Sequence, residues 1–220
     1  MYGRRVRFLL YWRPGTASMA PHAALAEIGA DYELVRIERE AAQADPQYLA
    51  LNPLGVVPTL VDGERGLVLT ESAAILLYLG DEFPQAGLAP ADRAEYYRWL
   101  VFLTNTLQTA MLRFFYPERY GGGDDLAAAA ATDAQRAFEI VEQRLDGREW
   151  LAAGHRTGSD LFLFMLTRWG RRLEPAAWDR PHLRDHFVRT LALPGVARMV
   201  GEQDLELPPW AAEGAAAAPR

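Results

Sequence analysis

A change in hydrophobic pattern close to Pro84 is the feature that most constrains the fold of this 220-residue chain. Before Pro84, short apolar runs typical of strands alternate with helical segments, whereas every later pattern repeats with helical periodicity. A connector rich in Pro, Gly and Ala lies between the two patterns, at residues 84–91. We therefore expect one domain over residues 1–83 and an all-helical domain over residues 92–210. The Ala-rich tail, residues 211–220, has no periodicity to bury and is expected to be disordered.

The first part of the N-terminal domain has the pattern of a strand, a helix and a second strand. The strands are predicted at residues 6–11 and 32–37, where β-branched, aromatic and other apolar side chains dominate or alternate with charged ones. The helix between them can be capped by Ser18 and stops at Gly29. Because the two strands are joined through a helix by short loops, we expect them to be parallel.

A hairpin and a second long helix complete the N-terminal domain. Residues 59–62 and 67–70 have strand character and flank a glycine-containing turn. An apolar helix then begins at Glu71 and Ser72 and ends before Pro84. Strand, helix, strand, followed by strand, strand, helix, predicts a mixed four-stranded sheet with helices on its faces. This is an α/β domain of the thioredoxin-like type.

The C-terminal domain is predicted to contain four helical stretches and one short turn, over residues 92–116, 126–145, 161–172, 182–191 and 196–200. Thr157 and Asp160 directly precede the apolar start of the third stretch. A Thr followed three residues later by an acidic residue is the pattern of a capping box, in which the two side chains satisfy backbone N–H groups reciprocally. We assign Thr157 and Asp160 a structural role.

The sequence contains no cysteine and no lysine, which excludes several kinds of chemistry. Without cysteine there is no disulfide, thiolate metal site or cysteine nucleophile. Without lysine there is no Schiff base or Walker-A phosphate contact. Any thiol chemistry must therefore use the sulfur of another molecule. His182 and His186 have the spacing of metal ligands on a helix, but no further ligand lies nearby, so no metal site is assigned.

Charge and hydropathy limit the partners. The formal net charge of −6 gives no overall attraction to phosphate backbones, so no nucleic acid partner is expected. No stretch approaches the roughly 20 apolar residues that a membrane span requires, and no membrane partner is expected. The apolar run that follows the first arginines is shorter than that of a signal peptide. We therefore expect a cytoplasmic protein.

The segment Asn52–Pro58 and the pair Glu71-Ser72 carry the clearest functional signal. If the peptide bond between Val57 and Pro58 is cis, the backbone of Val57 is offered outward and can pair with an extended peptide as an added strand does. Glu71 and Ser72 lie at a helix N-terminus, where free N–H groups and the helix dipole attract a carboxylate. Together these features predict a site for a short, charged peptide.

Five segments that occur in a fixed order resemble those of the cytosolic glutathione transferases, over nearly the whole chain. They are Tyr11–Ser18 (Tyr-Trp-Arg-Pro-Gly-Thr-Ala-Ser), Ala20–Gly29, Asn52–Pro58 (Asn-Pro-Leu-Gly-Val-Val-Pro), Leu69–Leu79 and Thr157–Asp160. The order of the segments, rather than any single one, is specific to the family. The resemblance implies glutathione as co-substrate, a hydrophobic electrophilic small molecule as second substrate, and a homodimer.

The resemblance also implies roles for individual residues of the N-terminal domain. The main chain of Val57, with Pro58 cis, would pair with the cysteinyl part of glutathione. Glu71 and Ser72 would hold the γ-glutamyl end. Gln43 lies in the segment that often contacts the glycine carboxylate, but we favour a plain surface position for it.

Two hydroxyl groups, those of Ser18 and Tyr11, are the candidates for activating the thiol of glutathione. The bacterial members that the chain most resembles carry a cysteine where this chain has Ala17, which argues against thiol reductase activity. A hundredfold larger thiolate fraction requires about 2.7 kcal/mol. A hydrogen bond to the charged sulfur contributes roughly 1.5 to 3 kcal/mol and a helix N-terminus about 0.3 to 2 kcal/mol, so the two together suffice. We favour Ser18, because it is expected at the start of a helix.

Gln108, Met111 and Phe115 on the long helix that begins the C-terminal domain are candidates for the pocket of the second substrate. Gln108 lies near a position where some bacterial members carry histidine, so no acid–base help is expected there. The predicted function is conjugation of glutathione thiolate to a hydrophobic electrophile. Two alternatives stay open: a non-catalytic glutathione-binding or scaffolding protein of the same fold, and a glutathione-dependent isomerase, dehalogenase or ether-cleaving enzyme.

Overall fold

The computed structural model describes residues 6–211, and their contacts divide into two units. The first unit contains the described residues up to Leu88 together with Leu193–Leu207. The second contains Ala89–Ala192 together with the described residues from Pro208 onward. Within residues 6–211, no helix has the length and apolar character needed to cross a membrane.

A mixed four-stranded sheet forms the centre of the first unit. Its strands are β1 (Phe8–Trp12), β2 (Tyr32–Arg36), β3 (Thr59–Asp62) and β4 (Leu67–Thr70), in the order β2-β1-β3-β4. β1 and β2 are parallel, whereas β1 with β3 and β3 with β4 are antiparallel. The predicted α/β fold class is confirmed, since both the strand pattern and the mixed sheet agree with it.

Four helices accompany the strands of the first unit within residues 6–88: α1 (Met19–Glu27), α2 (Arg39–Ala44), α3 (Pro46–Leu51) and α4 (Ser72–Glu82). α1 and α4 were predicted from their apolar residues. α2 and α3 were missed, because six residues are too few to show helical periodicity. Both bury few side chains, so propensity and one buried residue each, Ala42 and Tyr48, are the only local signals.

A further helix of the first unit comes from near the end of the chain. α10 (Pro194–Glu202) packs along α1. The two helices approach closely at Gly195, where an added Cβ would overlap the backbone of Glu27. The sequence grouped this segment with the helical domain 92–210 and predicted only a turn at 196–200. The sequence analysis missed this helix because nothing in the local pattern shows that the apolar side of α10 is buried against α1.

The described part of the second unit contains helices and loops but no strand. Its helices are α5 (Ala94–Phe102), a π-helical turn (Leu103–Gln108), α6 (Thr109–Phe115), α7 (Asp124–Leu145), α8 (Gly158–Trp169) and α9 (Pro181–Leu191). Short 3₁₀ turns lie at Pro117–Tyr120, Gly170–Arg172 and Ala177–Asp179, and a further one lies in the first unit at Pro84–Ala86. The single helix predicted for residues 92–116 is therefore interrupted by the π turn, which apolar spacing alone did not indicate.

α8 is buried along its whole length and depends on the capping box at its start. The Asp160 carboxylate accepts hydrogen bonds from the Thr157 N–H at 2.7 Å and from the Leu151 N–H at 2.8 Å. It also contacts Nε2 of the buried His186 at 3.0 Å. Thr157 and Asp160 thus stabilise the core of the second unit, and His186 belongs to this structural cluster.

Most of the tail predicted to be disordered, residues 212–220, lies outside the described residues. The part that is described differs from the expectation. Ala211 is buried in a short helical turn. Beside it, the Trp210 ring packs against Trp178 and Phe187, with centroid distances of 5.6 and 6.0 Å.

A buried carboxylate on β3, that of Asp62, joins the sheet to α4. Its Oδ2 accepts hydrogen bonds from Arg7 at 2.8 Å and from the Tyr78 hydroxyl at 2.6 Å, and its Oδ1 accepts two N–H groups of the following turn. Arg7 also donates to Glu82 on α4 at 2.7 Å. Burial disfavours the charged form of Asp62, but these hydrogen bonds outweigh burial and hold its pKa at about 2.

Replacing Asp62 with asparagine is expected to lower the free energy of unfolding by about 2 kcal/mol at neutral pH. The pKa of Asp62 is about 2 in the folded protein, whereas its ordinary value is 3.8. Its contribution to stability is therefore present above the unfolded pKa and is lost as the pH falls through the folded value. In urea unfolding, the difference in free energy of unfolding between wild type and Asp62→Asn should therefore become about 1 kcal/mol smaller between roughly pH 7 and pH 3. Glu33→Gln on the exposed side of β2 is the control. A difference in free energy of unfolding that stays constant with pH would contradict the lowered pKa of Asp62.

Candidate functional site

The register of three strands brings the predicted site residues to one edge of the sheet. Tyr11 on β1 pairs with Thr59 on β3, and Thr59 pairs with Thr70 on β4. The residues directly beyond this row are Pro58, which precedes β3, and Glu71, which follows β4. The Val57-Pro58 pair precedes β3 and the Glu71-Ser72 pair follows β4. The two pairs therefore lie at the same edge of the sheet, although they are distant in sequence.

Val57 carries main-chain polar groups that the fold leaves unpaired. Within residues 6–211, neither its N–H nor its C=O forms a hydrogen bond. The residue is only 8% exposed, although buried backbone groups are normally paired. The peptide bond between Val57 and Pro58 is cis. An N–H and a C=O on one residue beside a strand are the groups that an extended peptide uses to pair.

The loop before Val57 is held by side chains that the sequence analysis did not single out. The Tyr48 hydroxyl donates to the Val56 carbonyl at 2.5 Å and contacts Oγ1 of Thr59 at 2.9 Å. The Asn52 amide donates to the same two acceptors, at 2.7 and 3.1 Å. Burial raises the pKa of Tyr48 despite hydrogen bonds that favour ionisation, so the hydroxyl keeps its proton. Asn52 stood inside a recognised motif, but Tyr48 gave no sequence signal beyond its aromatic ring.

Gly55 is required at the turn of this loop. Its φ is +60°, and a Cβ here would lie 2.8 Å from the carbonyl oxygen of Ala42. The left-handed backbone and the close approach both favour glycine.

Glu71 has a backbone conformation that side chains other than glycine rarely adopt, with φ 67° and ψ 115°. Such a conformation costs about 1 to 3 kcal/mol and is found at functional sites more often than elsewhere. Glu71 is exposed and immediately precedes α4, whose first N–H groups have no helical partner. A ligand that carries both a carboxylate and an amine can therefore place its carboxylate on the helix N-terminus and its amine on the Glu71 side chain.

Ser72 is buried at the start of α4, and its hydroxyl donates to the carbonyl oxygen of Ala17 at 2.9 Å. This hydrogen bond joins α4 to the loop between β1 and α1. The Ser72 hydroxyl donates its hydrogen to the loop, so the main-chain N–H is the donor of Ser72 that is left for a ligand.

The Ser18 side chain lies inside this loop and is fully buried. Its Oγ is 3.1 Å from the Arg13 carbonyl oxygen and 2.9 Å from Oγ1 of Thr16, and it accepts the Arg13 N–H at 3.4 Å. It makes no hydrogen bond that caps α1. The sequence favoured Ser18 as the hydroxyl that activates a thiol, but this geometry does not, because every hydrogen-bonding direction of Ser18 is directed to the loop.

The Tyr11 side chain is placed differently. It is partly exposed and packs on the cluster formed by Ile37, Ala42, Tyr48 and Val57, with its ring 5.1 Å from that of Tyr48. Its hydroxyl makes no hydrogen bond to another residue of the range 6–211. Of the two candidate hydroxyls, that of Tyr11 has the free donor, and the Tyr11 side chain packs on the cluster that contains Val57.

The remaining predicted site residues are less informative. Gln43 on α2 is exposed. In the second unit, Gln108 and Phe115 are partly exposed, and the Phe115 ring packs on Trp169 at 6.1 Å. Met111 is fully buried in the core of its unit, so the prediction that it lines a substrate pocket is not supported by its position. The helical spacing identified these three residues, but it did not show which side of the helix faces the core.

Comparison with known proteins gives two family matches and many relatives. Residues 8–81 match the model of the glutathione S-transferase N-terminal domain, and residues 74–194 match that of the C-terminal domain. Glutathione S-transferase GST-4.5 of Xanthomonas campestris pv. campestris is 35% identical over 191 residues, which is 83% of this chain and 92% of that protein. Glutathione S-transferase GstA of Escherichia coli O157:H7 is 26% identical over 203 residues, 90% of this chain and 99% of that protein.

Solved structures agree with these matches. A sphingomonad glutathione S-transferase in complex with glutathione has a TM-score of 0.80 and 32% identity, and covers 90% of this chain and 100% of its own. A glutathione transferase homologue from Sulfitobacter with bound glutathione has a TM-score of 0.81 and 27% identity, and covers 91% of this chain and 100% of its own. The ordered segments of the sequence resemble the same family.

The strained backbone of Glu71 allows its conformational and chemical roles to be separated. Glu71→Gly and Glu71→Ala both remove the carboxylate, but only glycine accepts the positive φ without strain. We expect Glu71→Gly to be more stable than Glu71→Ala by about 1 to 2 kcal/mol in thermal or urea unfolding. Both variants should bind glutathione equally weakly by calorimetry. If Glu71→Gly bound glutathione as the wild type does, the carboxylate would have no part in the site.

Proposed function

Since the chain belongs to the glutathione S-transferase family, we propose that it conjugates glutathione to a hydrophobic electrophile at the edge of the sheet where β1 ends. One observation carries the proposal: the unpaired N–H and C=O of Val57 lie beside the N-terminus of α4 and the strained Glu71. Glutathione matches this arrangement, because it is an extended peptide with a charged group at each end. The bound glutathione of the solved relatives supports the same assignment.

The thiol of glutathione must lose its proton to react, and we propose that the Tyr11 hydroxyl stabilises the thiolate. An O–H donor to a charged sulfur contributes roughly 1.5 to 3 kcal/mol, a large part of the approximately 2.7 kcal/mol needed for a hundredfold gain in thiolate. The proton leaves to solvent, the sulfur attacks the electrophilic carbon, and a carbon–sulfur bond forms. With an aryl halide, the halide then leaves with the bonding electron pair.

Tyr11 replaces Ser18 in this role for geometric reasons. The Ser18 hydroxyl is buried and bonded to Arg13 and Thr16, and turning it to a ligand would leave the Arg13 N–H unpaired. Breaking a buried hydrogen bond in this way costs about 1 to 3 kcal/mol, comparable with the stabilisation that Ser18 could give the thiolate.

Tyr11→Phe and Ser18→Ala therefore separate the two hydroxyls. We expect Tyr11→Phe to lower kcat/KM with an activated aryl halide by about 10- to 100-fold and to move the pH profile to higher pH, because the thiol ionises less readily. Ser18→Ala should lower the free energy of unfolding by about 1 to 3 kcal/mol and leave kcat/KM within roughly threefold of wild type. The reverse ranking would return the catalytic role to Ser18.

A non-catalytic protein of the same fold is the alternative, and the missing cysteine at Ala17 is the observation that favours it. Calorimetry with glutathione and a conjugation assay on the same sample distinguish the two. Binding without turnover, and without an increase in thiolate absorbance, would support a binding protein. Failure to bind glutathione at millimolar concentration would reject both readings.

We also propose that the protein forms a homodimer through a stripe of apolar residues in the second unit. Tyr97 and Val101, one helical turn apart on α5, are 47% and 55% exposed. Asn105, a further turn along, lines a cavity of about 340 Å³ together with the exposed Ile140 of α7. Large apolar side chains that share one exposed surface are typical of subunit contacts.

Val101→Glu places a charge at the centre of this stripe. Sedimentation equilibrium should show a dimer for the wild type and a shift to monomer for Val101→Glu, because burying an unpaired carboxylate is unfavourable. Tyr120→Glu is the control, since Tyr120 is exposed to a similar degree but lies outside the stripe. A monomeric wild type, or a dimeric Val101→Glu, would reject this surface.

A further inference from the structure

We propose that Gln203 and His22 are positioning residues that hold the loop of the glutathione site, an inference that rests on the proposed function. Three hydrogen bonds connect that loop to α1 and to the C-terminal end of α10. The Gly15 N–H donates to Oε1 of Gln203 at 3.1 Å, Nε2 of Gln203 lies 3.1 Å from Nδ1 of His22, and Nε2 of His22 lies 2.7 Å from Oε2 of Glu202. We call these three contacts the Gly15–Glu202 chain.

The chemistry of the groups fixes which atom donates in each hydrogen bond of the Gly15–Glu202 chain. A carboxylate only accepts, so Nε2 of His22 carries the proton donated to Glu202. Nδ1 of the neutral ring is then an acceptor and takes a hydrogen from the Gln203 amide nitrogen. That orientation of the amide presents its oxygen to the Gly15 N–H. Each donor meets an acceptor, and reversing the amide of Gln203 would break two contacts at once.

Burial makes this arrangement specific. His22 is fully buried and Gln203 is 2% exposed, so water cannot replace a lost partner readily. The end of the chain at Glu202 is anchored by two further donors, the Tyr32 hydroxyl at 3.0 Å and Arg198 Nε at 2.8 Å. Satisfied buried polar networks select a single local structure, because each partly satisfied alternative is costly.

The loop that receives this support is the one that borders the glutathione site. Gly15 stands in it at a φ of 67°, between Tyr11 of β1 and Ala17. Ala17 is joined to α4 by the Ser72 hydroxyl. The loop is thus held from two directions, by α4 at Ala17 and by α10 at Gly15. Moving reacting groups by even 1 Å weakens binding and catalysis, so this support bears on function.

Protonation of His22 would disrupt the chain. The imidazolium has N–H donors on both nitrogens, and its Nδ1–H would face the Gln203 amide N–H groups. Burial lowers the pKa of His22, although Glu202 favours the charged form and Arg198 opposes it. The other ring neighbours are the Tyr32 hydroxyl on β2 and the uncharged Trp12 ring on β1. The hydrogen bonds of the Gly15–Glu202 chain are therefore all present at neutral pH. They are lost only when the pH falls below the ordinary histidine pKa.

Two variants of Gln203 test the inference. Gln203→Met preserves the size of the side chain but removes both hydrogen bonds. Gln203→Glu preserves an acceptor for Gly15 and offers a second carboxylate oxygen to His22, which favours the protonated ring. The probe is S-methylglutathione, which has no thiol to titrate, and its affinity is measured by calorimetry between about pH 5.5 and pH 8. Hydrogen exchange at the Gly15 amide is measured on the same proteins.

The pH dependence of the affinity for S-methylglutathione is expected to have opposite signs in the wild type and in Gln203→Glu. Wild-type affinity should fall only on acidification, whereas that of Gln203→Glu should fall as the pH rises, because the neutral ring presents a lone pair to the new carboxylate. Gln203→Met should bind about 5- to 20-fold more weakly at neutral pH, and its Gly15 amide should exchange at least about 10-fold faster. Histidine NMR should show a raised pKa for His22 in Gln203→Glu.

Gln135→Met is the matched control. Gln135 also bridges two groups, donating to the Pro175 carbonyl at 2.8 Å and accepting from Arg180 at 2.6 Å, but it lies in the second unit. Its loss should lower stability without altering Gly15 exchange or the affinity for the probe. The inference is overturned if Gln203→Met leaves Gly15 exchange or affinity unchanged, or if Gln203→Glu and wild type share one pH dependence. If the wild type does not bind the probe, the proposed function fails, and Gly15 exchange alone still decides whether the chain holds the loop.

Discussion

The register of β1, β3 and β4 is the constraint on which the candidate site depends. It aligns Tyr11, Thr59 and Thr70 in one row, so the chain leaves the sheet at Val57-Pro58 and at Glu71-Ser72 from adjacent strands. A slip of one residue would turn every side chain of a strand to the opposite face and would move the two pairs out of line. The buried Asp62 at the other end of β3, tied to Arg7 and Tyr78, helps to exclude such a slip. The stability of one end of the sheet thus preserves the geometry of the other.

The fold class was predictable because the four strands, α1 and α4 each carried their own sequence signal. Strand patterns, the glycine turn at 63–66 and the apolar run after Ser72 specified the sheet and α4 locally. The family resemblance was confirmed for a similar reason, since it rested on segments in a fixed order and not on one residue. Val57 and Glu71, the residues that these segments predict to meet glutathione, have the geometry that the proposed function needs.

What could not be predicted depends on contacts between distant parts of the chain. Ser18 has the residue type of a cap or a catalytic hydroxyl, and only its contacts with Arg13 and Thr16 show that it is occupied. Met111 has helical spacing, but the side of the helix that faces the core is a tertiary property. Gln203 is separated from Gly15 by 188 residues, and the apolar side of α10 does not reveal its position against α1. Long-range polar contacts of this kind leave no local pattern.

Main-chain groups carry most of the proposed recognition, so the site requires neither lysine nor cysteine, both of which the chain lacks. The backbone of Val57 and the first turn of α4 present donors and acceptors whatever their side chains are. The side chains then act one step away: Tyr48 and Asn52 fix the carbonyl before Val57, Ser72 fixes Ala17, and Gln203 holds Gly15. A site built in this way depends on the groups that hold the backbone as well as on the side chains that meet the ligand. Its affinity is therefore set in part by buried polar side chains that never touch the ligand.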